Sequence, residues 1–242
     1  MRKALNIPLE EFLRPFFGPG ERICLRIFDD RKTGTFKGAK LETTLSGLPG
    51  LMDTLKKHNE KNRGIYFVVN FGGHEDSEIT RINAQFMECD ELPLDEQLKQ
   101  IEAFPLEPSL IVKTRKSLHT YWLIKDGDVT AFRRVQKRLV AQFHGDRSCV
   151  NESRVLRLPG FYHYTSQMPY RKGKSMITAF RQCREYSSVP SCLIVSGTQK
   201  QKITLRSREN NFVLKRRSRY WRHSGIGWIN SAQTKEPVWR KR

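Results

Sequence analysis

The chain has 242 residues, 38% of them hydrophobic, with a mean hydropathy of −0.61, enough apolar material for one sizeable core. No stretch approaches the roughly 20 apolar residues of a membrane helix, so a membrane partner is not expected. Forty-four Lys and Arg against 25 Asp and Glu give a net charge of +19, which points to a polyanionic partner, nucleic acid first of all.

That charge is unevenly spread. From Lys200 onward there are thirteen Lys or Arg and two acids, so eleven of the nineteen net charges lie in the last 43 residues. The basic start, Met1 to Pro8, runs into Glu10 and Glu11 instead of an apolar stretch; no signal peptide is expected, and the expected location is the cytoplasm. Five cysteines (Cys24, Cys89, Cys149, Cys183, Cys192), odd in number and without a CxxC pair, argue for reduced thiols and against a zinc module.

In chain order, the pattern predicts a short helix over 9–17, ended by Gly18-Pro19-Gly20, then a strand over 22–28 with Ile23, Leu25 and Ile27 on its buried face. An exposed loop or hairpin is expected over 29–40, a helix over 51–59 and an apolar strand over 65–69. The next expected strand is 85–90, bounded by Pro93. An amphipathic helix over 94–104 carries Leu94, Leu98, Ile101 and Phe104 on one face. Two strands, 109–113 and 118–125, form a hairpin around Thr114 to Ser117. A basic helix over 129–143 turns Phe132, Val135, Leu139 and Phe143 inward. The last expected strand is 175–180, followed by a polar link and a basic, flexible tail over 198–242. Helices and strands interleave, so the class is α+β or α/β with a mixed sheet.

Three stretches carry chemistry. On the strand over 85–90, Glu88 and Asp90 share a face roughly 6 to 7 Å apart, a spacing that can hold one or two hard divalent cations such as Mg²⁺. The same residues also fit a strand end that simply reaches solvent. Around the hairpin turn, Ser117 and His119 stand among Lys113, Arg115 and Lys116, a grouping that can hold a triphosphate or be a solvated basic turn. In the third stretch, Arg154 and Arg157 alternate with Val155, Leu156 and Leu158 ahead of Pro159-Gly160. Guanidiniums anchored in this way need an anion, either phosphate or an internal partner such as Glu152 or Asp146.

Taken together, Glu-x-Asp on a strand, Lys-Ser-Leu-His at a hairpin, and Asn-Glu-Ser-Arg-Val-Leu-Arg-Leu-Pro-Gly-Phe resemble the archaeo-eukaryotic primase superfamily. Within it, the chain is most similar to the RepB-like primases of plasmids, phages and mobile elements. The resemblance covers about 64–170 and implies an α+β fold. In it an RRM-like mixed sheet (about 81–184) packs against an N-terminal αβ unit (about 1–80), and both belong to one domain over 1–197. It implies that Glu88 and Asp90 bind metal, that Ser117 and His119 grip the incoming nucleotide's phosphates, and that Arg154 and Arg157 are the basic pair before the Leu-Pro-Gly turn. Where many relatives carry a third metal-binding Asp, this chain has Asn151; Asp146 is the preferred substitute and Glu152 the second choice.

The activity implied is two-metal phosphoryl transfer from an NTP or dNTP on a single-stranded DNA template. Mg²⁺ or Mn²⁺ would sit on Glu88, Asp90 and Asp146, with Lys113, Ser117, His119, Arg154 and Arg157 around the nucleotide. The alternative is a non-catalytic DNA-binding replication-initiator module that keeps the primase fold. In the tail, Lys215, Arg216, Arg217, Arg219, Trp221 and Arg222 offer phosphate contacts and base stacking for template. A replicative helicase is a candidate partner.

Overall fold

A computed structural model describes residues 7–32 and 34–164 together with the strands Lys174–Met176 and Thr178–Arg181. The basic tail and its six candidate DNA-binding residues lie outside the described residues. So does the expected boundary near 197.

Strand β1 (Ile23–Asp29) buries Ile23, Leu25 and Ile27 on one face, as its alternation requires. It pairs antiparallel with β2 (Ala39–Thr43) and with β3 (Arg63–Val68). The other edge of β3 takes β7 (Val155–Arg157), which completes a four-stranded sheet in the order β2-β1-β3-β7. This first sheet therefore draws one strand from beyond residue 150. Helix α2 (Leu48–Glu60) connects β2 to β3 and begins three residues earlier than its pattern predicts. Pro49 falls in its first turn, where a missing N–H costs nothing.

The second sheet has the order β10-β5-β6-β4, from β4 (Ile82–Met87), β5 (Leu110–Lys113), β6 (Leu118–Gly127) and β10 (Thr178–Arg181). Helix α3 (Leu94–Ala103) joins β4 to β5, and α4 (Val129–Gln142) packs on β4. The 3.6-residue period of α4 buries Phe132, Val135 and Leu139, and Asp128 caps it by accepting the Thr130 N–H at 2.8 Å. A ribbon of β8 (Tyr162–Tyr164) and β9 (Lys174–Met176) completes the described elements.

Every strand pairing among the described residues is antiparallel, which settles the class as α+β where the sequence left α/β with a mixed sheet open. The expected strand over 175–180 divides into β9 and β10, which belong to different sheets. Helix α1 (Leu9–Leu13) is shorter than expected, because Pro15 has no N–H to continue the ladder. Its aromatic neighbourhood joins the sheets: Phe12 and Phe16 pack against Phe67 of β3 at 5.6 and 5.3 Å, and against Tyr121 of β6 at 6.2 and 5.4 Å. One hydrophobic cluster runs through both. Among the described residues no helix is long and apolar enough to cross a membrane.

Candidate active site

The stretch over 85–90, expected as one strand, is strand only as far as Met87. Beyond that end of β4, the next backbone groups are taken by other parts of the chain. The Cys89 N–H donates to the Ser117 hydroxyl at 3.1 Å, and the Asp146 N–H donates to the Glu88 carbonyl at 2.9 Å. With those groups satisfied, the ladder has no reason to continue. The approach is so close that a Cβ on Gly145 would meet the Glu88 carbonyl oxygen at 2.9 Å, so only glycine fits there without a shift.

Glu88 is the centre of the charged groups. Its Oε1 lies 3.3 Å from His119 Nε2, its Oε2 lies 3.6 Å from Arg154 Nη2, and the Cys149 thiol donates to Oε2 at 3.4 Å. His119 projects from β6 and is fully buried; Arg154 also reaches Asp146 Oδ2 at 3.1 Å. Burial pushes the Glu88 carboxyl up. The His119 ring, Arg154 and the Cys149 thiol outweigh it and hold the pKa down at about 2. Asp90 moves the other way, raised by burial and by the Glu88 charge beside it. Asp146 is exposed; the Ser148 hydroxyl and N–H and the Arg154 charge outweigh its desolvation and lower its pKa.

Carboxylate oxygens of Glu88 and Asp146 and the sulfur of Cys149 all lie within 4.8 Å of one another, and Asp90 lines the same cleft. Burial and the neighbouring Glu88 keep the Cys149 thiol protonated, so it serves Glu88 as a donor. What remains is a set of hard oxygen ligands, which fits Mg²⁺ or Mn²⁺.

The cleft has a volume of about 580 Å³. Glu88, Asp90, His119, Arg154 and Arg157 all line it, along with Lys116 from the basic turn. Arg157 is fixed as a fork on the Asp30 carboxylate at 3.0 and 3.1 Å, with its guanidinium 4.7 Å from the centre of the Tyr66 ring. Asp30 also accepts the Tyr66 hydroxyl at 3.3 Å and the Tyr164 N–H at 3.2 Å. His163, on the same wall, has its pKa lowered to about 3 by burial and by Arg157, Arg115, His119 and Lys116.

Two residues of the expected nucleotide set stand back from this cleft. Ser117 is fully buried and holds Cys89; Lys113 is half-buried at the end of β5, its pKa lowered by desolvation. Asn151 and Glu152 belong to a separate cluster. The Asn151 amide donates to Asp76 at 3.2 Å, and Glu152 accepts three bonds of 2.6 to 2.9 Å from Arg133. Of the two substitutes expected for the third acid, only Asp146 stands beside Glu88. Asp30, Tyr66 and His163 escaped the sequence reading. Asp30 lies in a stretch that reads as an exposed loop, and no local pattern announces a partner 127 residues away.

The family model described as the RepB DNA-primase N-terminal domain matches residues 48–191. Among solved structures, the AEP domain of the cyanophage S-2L primase-polymerase is similar at 29% identity and a TM-score of 0.62, over 76% of this chain and 92% of that one. The primase RepB' matches with a TM-score of 0.57 at 16% identity, over 80% of this chain and 61% of that one. Its catalytic domain, in a complex with initiator DNA, matches with a TM-score of 0.54 at 17% identity over 80% and 92%. A comparison with curated proteins gives no match. The antiparallel α+β architecture and the family match agree, and the chain belongs to the RepB DNA-primase N-terminal domain family.

Proposed function

We propose that this chain is a replication primase or primase-polymerase that joins NTPs or dNTPs on a single-stranded DNA template of a plasmid, phage or mobile element. The observation that carries the reading is one cleft lined by Glu88 and Asp90 beside Asp146, and equally by His119, Arg154, Arg157 and Lys116. Acids for cations and cations for phosphates meet in a single cavity.

Glu88, Asp90 and Asp146 would hold the Mg²⁺ or Mn²⁺ ions. Such ions, when bound, acidify an attacking 3′-hydroxyl and neutralise the leaving pyrophosphate. Within the chain, His119 and Arg154 keep Glu88 ionised and oriented, so its oxygens are ready for a cation at neutral pH. The fork from Asp30 and the face of Tyr66 hold Arg157 in one orientation, and a fixed guanidinium can meet a phosphate without paying reorganisation. In the nucleotide set, His119, Arg154 and Arg157 act from the cleft wall. Ser117 acts through the Cys89 backbone, and Lys113 contributes charge from the end of β5.

Template binding is supported by the fold shared with a primase domain whose structure contains initiator DNA. The tail residues Lys215, Arg216, Arg217, Arg219, Trp221 and Arg222 would add phosphate and stacking contacts. A deletion after Gly197 is then expected to flatten the salt dependence of DNA binding. A replicative helicase remains the candidate protein partner.

The test is template-directed nucleotide incorporation with Mg²⁺ or Mn²⁺. Glu88→Ala or Asp90→Ala is expected to abolish primer synthesis while circular dichroism reports an intact fold. Incorporation retained in either variant removes the assignment. An inactive wild-type chain that still binds DNA would instead favour the non-catalytic initiator module.

A further inference from the structure

A second group of mixed ligands lies at the far end of β1 from the cleft. Cys24 of β1 and Glu42 of β2 are direct cross-strand partners, which puts their side chains on one face of the first sheet. His74 meets them from the turn after β3. A sulfur, a carboxylate oxygen and a ring nitrogen from these three residues all lie within 4.8 Å of one another.

The turn that carries His74 is rigidly held. Arg22 donates from Nε and Nη2 to the Gly72 carbonyl at 3.1 and 2.8 Å, and the Glu78 carboxylate accepts the N–H groups of His74 and Glu75 at 2.8 and 2.9 Å. Gly72 has a φ of +150°, and a Cβ there would lie 2.0 Å from the Glu78 carbonyl oxygen. The imidazole itself has been left without company. His74 is 8% exposed, neither ring nitrogen has a hydrogen-bond partner, and Nε2 stops 3.7 Å short of Glu42 Oε1. A buried ring with two unmet nitrogens is a net cost unless something else meets them.

Zinc ligands held 2.0 to 2.3 Å from a tetrahedral ion stand roughly 3.3 to 3.8 Å apart. The spacing of Nε2 and Oε1 is within a few tenths of an ångström of that value. A thiol, an imidazole and one carboxylate suit zinc, whereas Mg²⁺ asks for oxygen throughout. We propose that Cys24, His74 and Glu42 bind one zinc ion with water as the fourth ligand, and that the ion ties the β1–β2 hairpin to the turn after β3. Binding displaces the Cys24 thiol proton into water. Glu42 is the weakest ligand of the three, because Arg22 also contacts its Oε1 at 3.5 Å, and its half-exposed side chain marks the entry path.

The experiment strips the full-length chain with a chelator, then titrates it with zinc alone against a chromophoric competitor. Cys24→Ser and His74→Ala are each expected to lose one zinc equivalent, or to bind it at least about tenfold more weakly. Cys149→Ser, which removes the sulfur at the cleft, keeps that equivalent. Cobalt substituted for zinc is expected to show a thiolate charge-transfer band that disappears in Cys24→Ser. Since substitution of a buried residue can unfold the chain, Glu42→Gln supplies an exposed variant, expected to weaken zinc by about tenfold with the melting temperature of the metal-free chain unchanged. Unchanged zinc binding in Glu42→Gln and Cys24→Ser overturns the proposal, and so does loss of the equivalent in Cys149→Ser alone.

Discussion

Glu88 and Glu152 are both acids set against an arginine, and they are held in opposite ways. Glu152 accepts three bonds of 2.6 to 2.9 Å from Arg133. Arg133 also bonds Asp76 at 2.8 Å, and Asp76 accepts the Ser153 hydroxyl and N–H at 2.6 and 3.0 Å. Around Glu88 the corresponding contacts are 3.3 Å to His119 and 3.6 Å to Arg154. Charge is balanced in both places, but Glu152 is committed by three short bonds, whereas the directed hydrogen bond on Glu88 comes from the Cys149 thiol at 3.4 Å. A committed carboxylate fastens α4 to the segment before β7, whereas a loosely held one on a cleft wall keeps oxygens available for a ligand. Proximity of an acid and a base in space is therefore a poor guide to role, and the length of the contact is a better one.

Glu88→Gln breaks the comparison most severely. It keeps the side-chain shape and removes the charge; nucleotide incorporation is expected to fall by at least about 10²-fold, while the melting temperature drops with the lost contacts to His119 and Arg154 but the chain stays folded at the assay temperature. Arg157→Ala comes next. It leaves the Asp30 carboxylate, 1% exposed, without its charged partner and with the Tyr66 hydroxyl and the Tyr164 N–H as its remaining donors, and denaturant unfolding should register a loss of about 3 to 5 kcal/mol. An unchanged midpoint would mean that water replaces the guanidinium.

The paired variants Glu152→Gln and Asp146→Asn sharpen the contrast directly. The first should cost about 1 to 3 kcal/mol of stability and leave incorporation unaltered well below the melting temperature; the second should do the reverse. Equal effects on both readouts would erase the distinction drawn between the two clusters.

The smallest effect is read from pH. His163 is depressed from its ordinary 6.5 to about 3, so the stability tied to its neutral ring is present above 6.5 and lost progressively as pH falls toward 3. The slope should stay below about 1.4 kcal/mol per pH unit, the limit for one proton, and should flatten in His163→Gln. The stabilisation from Glu88 is present above its ordinary 4.5 and is lost only as pH falls to about 2, so it persists through the upper part of the His163 window. Parallel melting curves for wild type and variant would show that other groups carry the acid sensitivity.

What the sequence revealed depends on how locally each feature is determined. Helix α4 is legible because Phe132, Val135 and Leu139 repeat at the helical period over a single segment. Glu88 and Asp90 are legible as candidates because acids beside an apolar run are conspicuous. The end of β4 is not, since it is set by Ser117 and Asp146, which are neighbours only after folding. Gln136 is equally silent in the pattern. It falls at a helical position on the inward face of α4, where its amide is fully buried and bonds the Phe86 N–H, the Phe86 carbonyl and the Cys149 carbonyl. The Cys24, Glu42 and His74 group has no spacing motif at all, because three separate elements bring its members together.

The segment matched by the family model begins at residue 48, but the arch formed by Phe12 and Phe16 and the whole of β1 and β2 precede it. A fragment trimmed to that boundary would bare the long side of β3 that β1 normally covers, an invitation to intermolecular pairing and precipitation. It would also leave Arg157 facing an empty position where Asp30 belongs. Recombinant work on this chain, and on others of similar layout, is best served by keeping the first 47 residues attached.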